Sequence, residues 1–354
     1  MEIVRTQSQE VSAQTFGTSN INVPLVIRCM SKLTVCASHF VRRRDFTVNR
    51  FLADLLEIKV PASKTPRNGV ASKNVTVDSS TGVCARIFYP CSEGKVYTKH
   101  PDATKKQLPV VFYFHGGGFT FLSPNFLLYD NFCRDLARDM PCIVISVHYR
   151  RSPEHRYPIA YDDSYAALKW LQSTDQIHDL PCTADLSRCV LMGDSAGGNI
   201  VHHIGCKAAM EDLKPLSIRG HVLIQPFFGG QERTPSEILL VNAPIVSSEQ
   251  ADWHWKAYLP PNADRDHPAC NIFGPRAADI SGISLPPTLV TVGELDILQD
   301  WQLRYVNGLQ KAGKEVDKIF YEGGIHGFHL LAHDKLAKQF RSDVFDFIQE
   351  HCQF

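Results

Sequence analysis

From residue 108 onward the chain alternates short apolar runs with helix-patterned stretches, and that alternation limits the possible fold more than any other feature of the sequence. The runs fall at 108–114, 142–148, 188–193, 221–227, 287–292 and 318–321. Helical patterns fall at 129–139, 161–172, 197–210, 301–312 and 335–350. Strands that are apolar at consecutive positions belong in a sheet covered on both faces, the usual environment of parallel strands joined by crossover helices. The expected class is therefore α/β, with a mostly parallel central sheet, helices on both faces and right-handed crossovers. Ligands of such sheets collect at the carboxyl ends of the strands, so chemistry is expected just after these runs.

The rest of the chain has a different texture. Residues 74–78 and 83–89 alternate apolar and polar side chains around Ser79-Ser80-Thr81-Gly82, the pattern of an antiparallel hairpin. Residues 91–107 read as a surface loop. The interval 228–283 is too long for an ordinary connection and holds Trp253, Trp255, Tyr258 and several prolines. It reads as a partly helical cap insertion over one end of the sheet. Nearer the start, 1–21 reads as disordered, 23–40 carries apolar residues at helical spacing, and Arg42-Arg43-Arg44 reads as a solvated basic face.

Charge and cysteine usage exclude several functions. The 37 basic and 37 acidic residues balance to a formal charge of zero, which gives no electrostatic basis for a nucleic-acid or anionic-membrane partner. No stretch reaches the ~18 apolar residues of a membrane span, and residues 1–20 lack the apolar core of a secretory signal. The eleven cysteines are odd in number and scattered, with neither a Cys-x-x-Cys pair nor a zinc-type cluster. They read as free thiols in a reducing compartment, the cytoplasm or nucleus, and no metal or other cofactor is expected.

Four strand ends carry the chemistry. After the run ending at Met192 comes Gly193-Asp194-Ser195-Ala196-Gly197, a G-x-S-x-G pattern at a strand-to-helix junction, where small neighbours let a nucleophilic serine occupy a tight turn. Immediately after the first run, His115-Gly116-Gly117-Gly118 offers a backbone flexible enough to aim amide groups at one spot. The N–H groups of Gly116, Gly117 and Ala196 are the expected oxyanion hole. Downstream, Asp296 follows the strand ending at Val292, and His326 sits between Ile325 and Gly327 after the last strand. The order Ser, Asp, His is that of an α/β-hydrolase triad. His326 is the expected general base, with His329 packing or facing solvent. Asp296 is the expected orienting carboxylate, Glu294 a strand residue and Asp300 a helix N-cap. The stretch from Tyr149 to Asp163 is expected to brace the active-site loops.

With these residues in place, the chain resembles the plant carboxylesterase branch of the hormone-sensitive-lipase-like α/β hydrolases. The resemblance runs from about residue 22 to the end. It rests on His-Gly-Gly-Gly at 115–118, Tyr-Arg-x-x-Pro-Glu-His from Tyr149, Gly-Asp-Ser-Ala-Gly-Gly-Asn at 193–199, Asp296, and His326 before Gly327-Phe328. It implies an α/β-hydrolase fold spanning 22–354, a helical lid at 22–60, and a pocket shaped by Phe119, Tyr129 and the insertion. The same branch is similar to the gibberellin receptors, through Thr47-Val48-Asn49-Arg50 and Trp253-x-Trp255-Lys256-Ala257. Those receptors keep the serine but replace the histidine and alter the glycine motif, whereas this chain keeps both. The resemblance implies a serine carboxylesterase for small to medium carboxylic esters, with a small-molecule ester as partner. A lyase or dehydratase on the same scaffold, and a receptor-like binding protein, are the alternatives.

Overall fold

The computed structural model describes residues 38, 40–92, 95–96, 107–173, 180, 183–241, 243–331 and 334–352. The disorder expected at 1–21, nearly all of the helix expected at 23–40 and most of the loop expected at 91–107 lie outside these residues. A short helix, α1 (Arg50–Leu56), precedes the hairpin of β1 (Val70–Asp78) and β2 (Val83–Ser92). Strand β3 (Lys95–Val96) pairs with the end of β2. The sheet then builds from β4 (Leu108–Phe114), β5 (Ile143–His148), β6 (Ala184–Asp194), β7 (Ile218–Ile224), β8 (Thr288–Leu295) and β9 (Val316–Ile325). Its order is β1-β2-β5-β4-β6-β7-β8-β9. Strands β1, β2 and β5 pair antiparallel, and every pairing from β5 to β9 is parallel.

Consecutive apolar positions are needed because both faces are covered. Along β4, Val110, Phe112 and Phe114 point into one core while Val111 and Tyr113 point into the other. The second core is closed by α2 (Leu127–Asp139) and the C-terminal helix α8 (Lys335–Cys352), through Phe132, Leu136, Phe340 and Val344. The first core is closed by α3 (Ile159–Gln172), α4 (Ala196–Ala209) and α7 (Gln299–Lys311), through Leu168, Ile200 and Val306. The apolar positions that helix α2 buries, 129, 132, 133, 136 and 137, have the spacing of a single helical face.

Between β7 and β8 the chain forms α5 (Pro235–Leu239) and α6 (Ser248–Tyr258). Both start at capping boxes, Thr234 with Glu237 and Ser247 with Gln250, so each short helix has its first free amides satisfied locally. Strand β7 ends at Ile224, three residues before the expected 227. Gln225 turns to φ 42°, and Pro226 has no N–H to continue the ladder.

The basic stretch also departs from expectation. Arg43 and Arg44 are exposed, but Arg42 is buried, with its guanidinium 5.4 Å above the Trp253 ring. A planar cation over an indole gains from the ring quadrupole, which a lysine-like solvated face would not use. The eight described cysteines are free thiols. Among the described residues no helix is long and apolar enough to cross a membrane.

Candidate active site

Ser195 sits between the end of β6 and the start of α4, with φ 52° and ψ −117°. A non-glycine residue held at positive φ is strained, and here the turn projects the hydroxyl off the sheet end. The motif's second glycine is required by packing: a Cβ on Gly197 would lie 1.8 Å from the Phe114 carbonyl oxygen. Helix α4 can therefore start close against β4 only with glycine at that position.

Three side chains from three strand ends meet here. Ser195 Oγ lies 3.0 Å from His326 Nε2, and His326 Nδ1 lies 2.8 Å from Asp296 Oδ2. An ionised carboxylate only accepts, so Nδ1 carries the proton and Nε2 presents its lone pair to the serine hydroxyl. Burial works against the imidazolium, but the charge and hydrogen bond of Asp296, aided by the charge of Asp194, outweigh it and hold His326 above the ordinary histidine range. Asp296 is fully buried and heavily solvated by the protein. Its Oδ1 accepts the Leu298 N–H at 3.0 Å, and its Oδ2 accepts Gln302 Nε2 at 2.9 Å and Gln225 Nε2 at 3.1 Å.

The glycine loop differs from expectation in one respect. The Gly116 N–H donates to Asp194 Oδ1 and to the Tyr129 hydroxyl, both at 2.9 Å, so it faces the core and is not a donor to the pocket. Gly117 and Gly118, with φ 96° and 59°, line the cavity beside Ser195 instead. Asp194 also accepts from Tyr113 at 2.7 Å and from Tyr129 at 2.8 Å. Burial pushes its carboxyl up to about 6 against those hydrogen bonds and the charge of His326. Neither the role of Gly118 nor this Asp194 cluster was signalled by spacing, because both depend on which way a backbone amide turns.

The cavity in front of Ser195 measures about 330 Å³. Its walls are mostly apolar, with Phe121, Leu122, Phe126 and Phe227 from the sheet side. The segment before the hairpin adds Val41, Ala53 and Leu56, and the insertion adds Ile245, Val246 and Ala251. Tyr129 lines the cavity. Phe119 does not: it is fully buried, stacked on Tyr258 with centroids 3.7 Å apart, and supports the wall from behind. His254, unforeseen in the sequence, lines the cavity with Nδ1 3.3 Å from Thr120 Oγ1.

His329 packs edge-on against Phe132 with neither ring nitrogen bonded, and burial lowers its pKa to about 3. Glu294 belongs to β8 and accepts the Gly323 N–H at 2.7 Å. Asp300 is not an N-cap. It lies inside the first turn of α7, where it is 2.8 Å from the Ser236 N–H. Tyr149 stacks on His115 and donates to its carbonyl at 2.8 Å, and Arg150 pairs with Asp163, both bracing contacts. Among the described residues no His, Cys, Asp and Glu cluster is arranged to hold a metal ion.

A parallel sheet with a strained serine at one strand end and a His–Asp pair at two others is the architecture of an α/β hydrolase. Residues 111–330 match the family described as having the alpha/beta hydrolase fold, and the chain belongs to that family, in its hormone-sensitive-lipase-like branch with the plant carboxylesterases. It is 41% identical over 324 residues to the gibberellin receptor GID1C of Arabidopsis thaliana, covering 90% of this chain and 92% of the receptor. It is 35% identical over 309 residues to carboxylesterase 20 of the same plant, covering 86% and 93%. Among solved structures it is similar to the hyperthermophilic esterase of Pyrobaculum calidifontis, at 27% identity and a TM-score of 0.72, covering 93% of this chain and 98% of that one.

Proposed function

We propose that this chain is a serine carboxylesterase that hydrolyses small to medium uncharged carboxylic esters through an acyl-enzyme on Ser195. One observation carries the reading: the continuous hydrogen-bonded relay from Ser195 Oγ to His326 Nε2, and from Nδ1 to Asp296. Ser195 attacks the ester carbonyl while His326 takes its proton. The Gly117, Gly118 and Ala196 N–H groups receive the oxyanion, and His326 then protonates the departing alcohol. Water activated by the same imidazole releases the acid. Asp296 orients the ring and stabilises the imidazolium without being protonated itself.

The apolar cavity supports an ester substrate held by shape, with the segment before the hairpin as lid and the insertion as cap. The carboxylesterase and esterase relatives support the same reading. The likeness to a gibberellin receptor favours a second one, ligand binding without turnover, but an intact Ser–His–Asp relay has no purpose in simple binding. Free thiols support a reducing compartment, cytoplasm or nucleus. The test is turnover of p-nitrophenyl butyrate: Ser195→Ala is expected to reduce kcat by more than about 10³-fold and to abolish fluorophosphonate labelling. Unchanged turnover in that variant would remove Ser195 as nucleophile.

A further inference from the structure

A four-residue segment at the end of β7 bonds Ser195, Asp296 and the residues on either side of His326. The Ser195 N–H donates to the Ile224 carbonyl at 2.9 Å, and the Phe227 N–H donates to the Ser195 carbonyl at 2.8 Å. Between those two anchors, the Gln225 side chain reaches Asp296 and the backbone on either side of His326. Its Nε2 donates to Asp296 Oδ2 and to the Ile325 carbonyl, both at 3.1 Å. Its Oε1 accepts the Gly327 N–H at 2.8 Å. Ile325 and Gly327 flank His326, so one amide grips the histidine's backbone on both sides while holding the aspartate.

The surroundings are shaped for this grip. The β8–β9 ladder slips between Gly293 and Leu295, so regular strand pairing is interrupted where the aspartate and histidine loops leave the sheet. The Gln225 amide supplies hydrogen bonds across that gap. A Cβ on Gly293 would lie 2.6 Å from Gln225 Nε2, so glycine keeps the space open. Gln225 is 1% exposed and held at φ 42°, a left-handed conformation that a glutamine adopts only when its surroundings impose it. The reversed amide would aim oxygen at a carboxylate and a carbonyl, so its orientation follows from its partners.

We propose that Gln225 is a positioning residue: the centre of a brace, Ile224 to Phe227, that sets the distance between the Asp296–His326 pair and Ser195. The proposal rests on the hydrolase reading above, and its test separates the two. Gln225→Leu keeps a similar volume and removes all three hydrogen bonds. It is expected to lower kcat for p-nitrophenyl butyrate by about 10- to 100-fold with KM within about threefold, because misplacing a base costs rate rather than binding. Gln225→Glu keeps the acceptor for Gly327 but aims an acidic oxygen at Asp296. Added negative charge favours the imidazolium, so the acid limb of kcat/KM should move to higher pH.

The His326 Nδ1 proton offers a readout that needs no substrate. It is sought by NMR as a downfield resonance missing in His326→Gln, and it should shift in Gln225→Leu. A folded Gln225→Leu protein with native kcat and an unmoved resonance overturns the proposal, as does a change confined to KM. If the leucine variant does not fold, a native acid limb and resonance in Gln225→Glu overturn it equally. A wild-type protein that turns over no ester, yet whose resonance moves in Gln225→Leu, sinks the hydrolase reading and keeps the brace.

Discussion

The two sides of Ser195 are built by different means. On the proposed oxyanion side the parts are backbone: a serine at positive φ, glycines at positive φ and the first amide of α4, all within a few residues of two adjacent strand ends. On the proposed base side the parts are side chains from distant points of the chain: Asp296 holds His326, and the Gln225 and Gln302 amides donate to Asp296. The first side is rigid because torsions and close packing define it. The second is only as precise as its hydrogen bonds, so removing one partner there should misplace the base rather than unfold the protein.

That contrast is open to test, and the largest effect is expected on the base side. Asp296→Asn should lower kcat by about 10³–10⁴-fold, since an amide no longer enforces the Nδ1–H tautomer. In the proposed mechanism the active form of His326 is neutral, so activity should fall as pH drops through its pKa. Without the carboxylate, burial acts on the ring with less opposition, and the acid limb should move to lower pH. An unmoved limb in a pH profile would mean that Asp296 does not set the pKa.

On the oxyanion side, Gly117→Ala places a Cβ 2.3 Å from the Phe121 carbonyl oxygen, so the loop must shift. A loss of about 10²–10³-fold in kcat is expected for a displaced donor, with His326 titrating as before. If the acid limb moved as well, the two sides would not be independent. The smallest effect is expected from Tyr129→Phe, which removes the hydroxyl bonds to Asp194 and Gly116 but leaves Gly116 held by Asp194 Oδ1. Urea unfolding should show a loss of about 1–3 kcal/mol, with kcat changed less than about tenfold. A larger kcat loss would make the tyrosine part of the oxyanion machinery.

The same division explains what could be read from the residues in order. Apolar runs and helical spacing specify a two-faced sheet because burial acts on each segment locally, and the G-x-S-x-G turn carries its own geometric signature. The Ser, Asp, His order was readable because each residue follows a strand end. Boundaries drifted where the backbone changed hand, as at Gln225, or where packing replaced solvent, as at Arg42.

By itself, then, the sequence determined the parallel sheet, the turn that presents Ser195, and the candidate acid and base at neighbouring strand ends. Only the tertiary structure decided that Gly116 turns inward to Asp194 while Gly118 lines the pocket, that Phe119 supports the wall from behind, and that the segment from Ile224 to Phe227 ties the three strand ends together. The physical reason is that periodicity records which residues avoid water. The direction of an amide, a ring or a side-chain hydrogen bond is set by partners that come close only after the chain has folded.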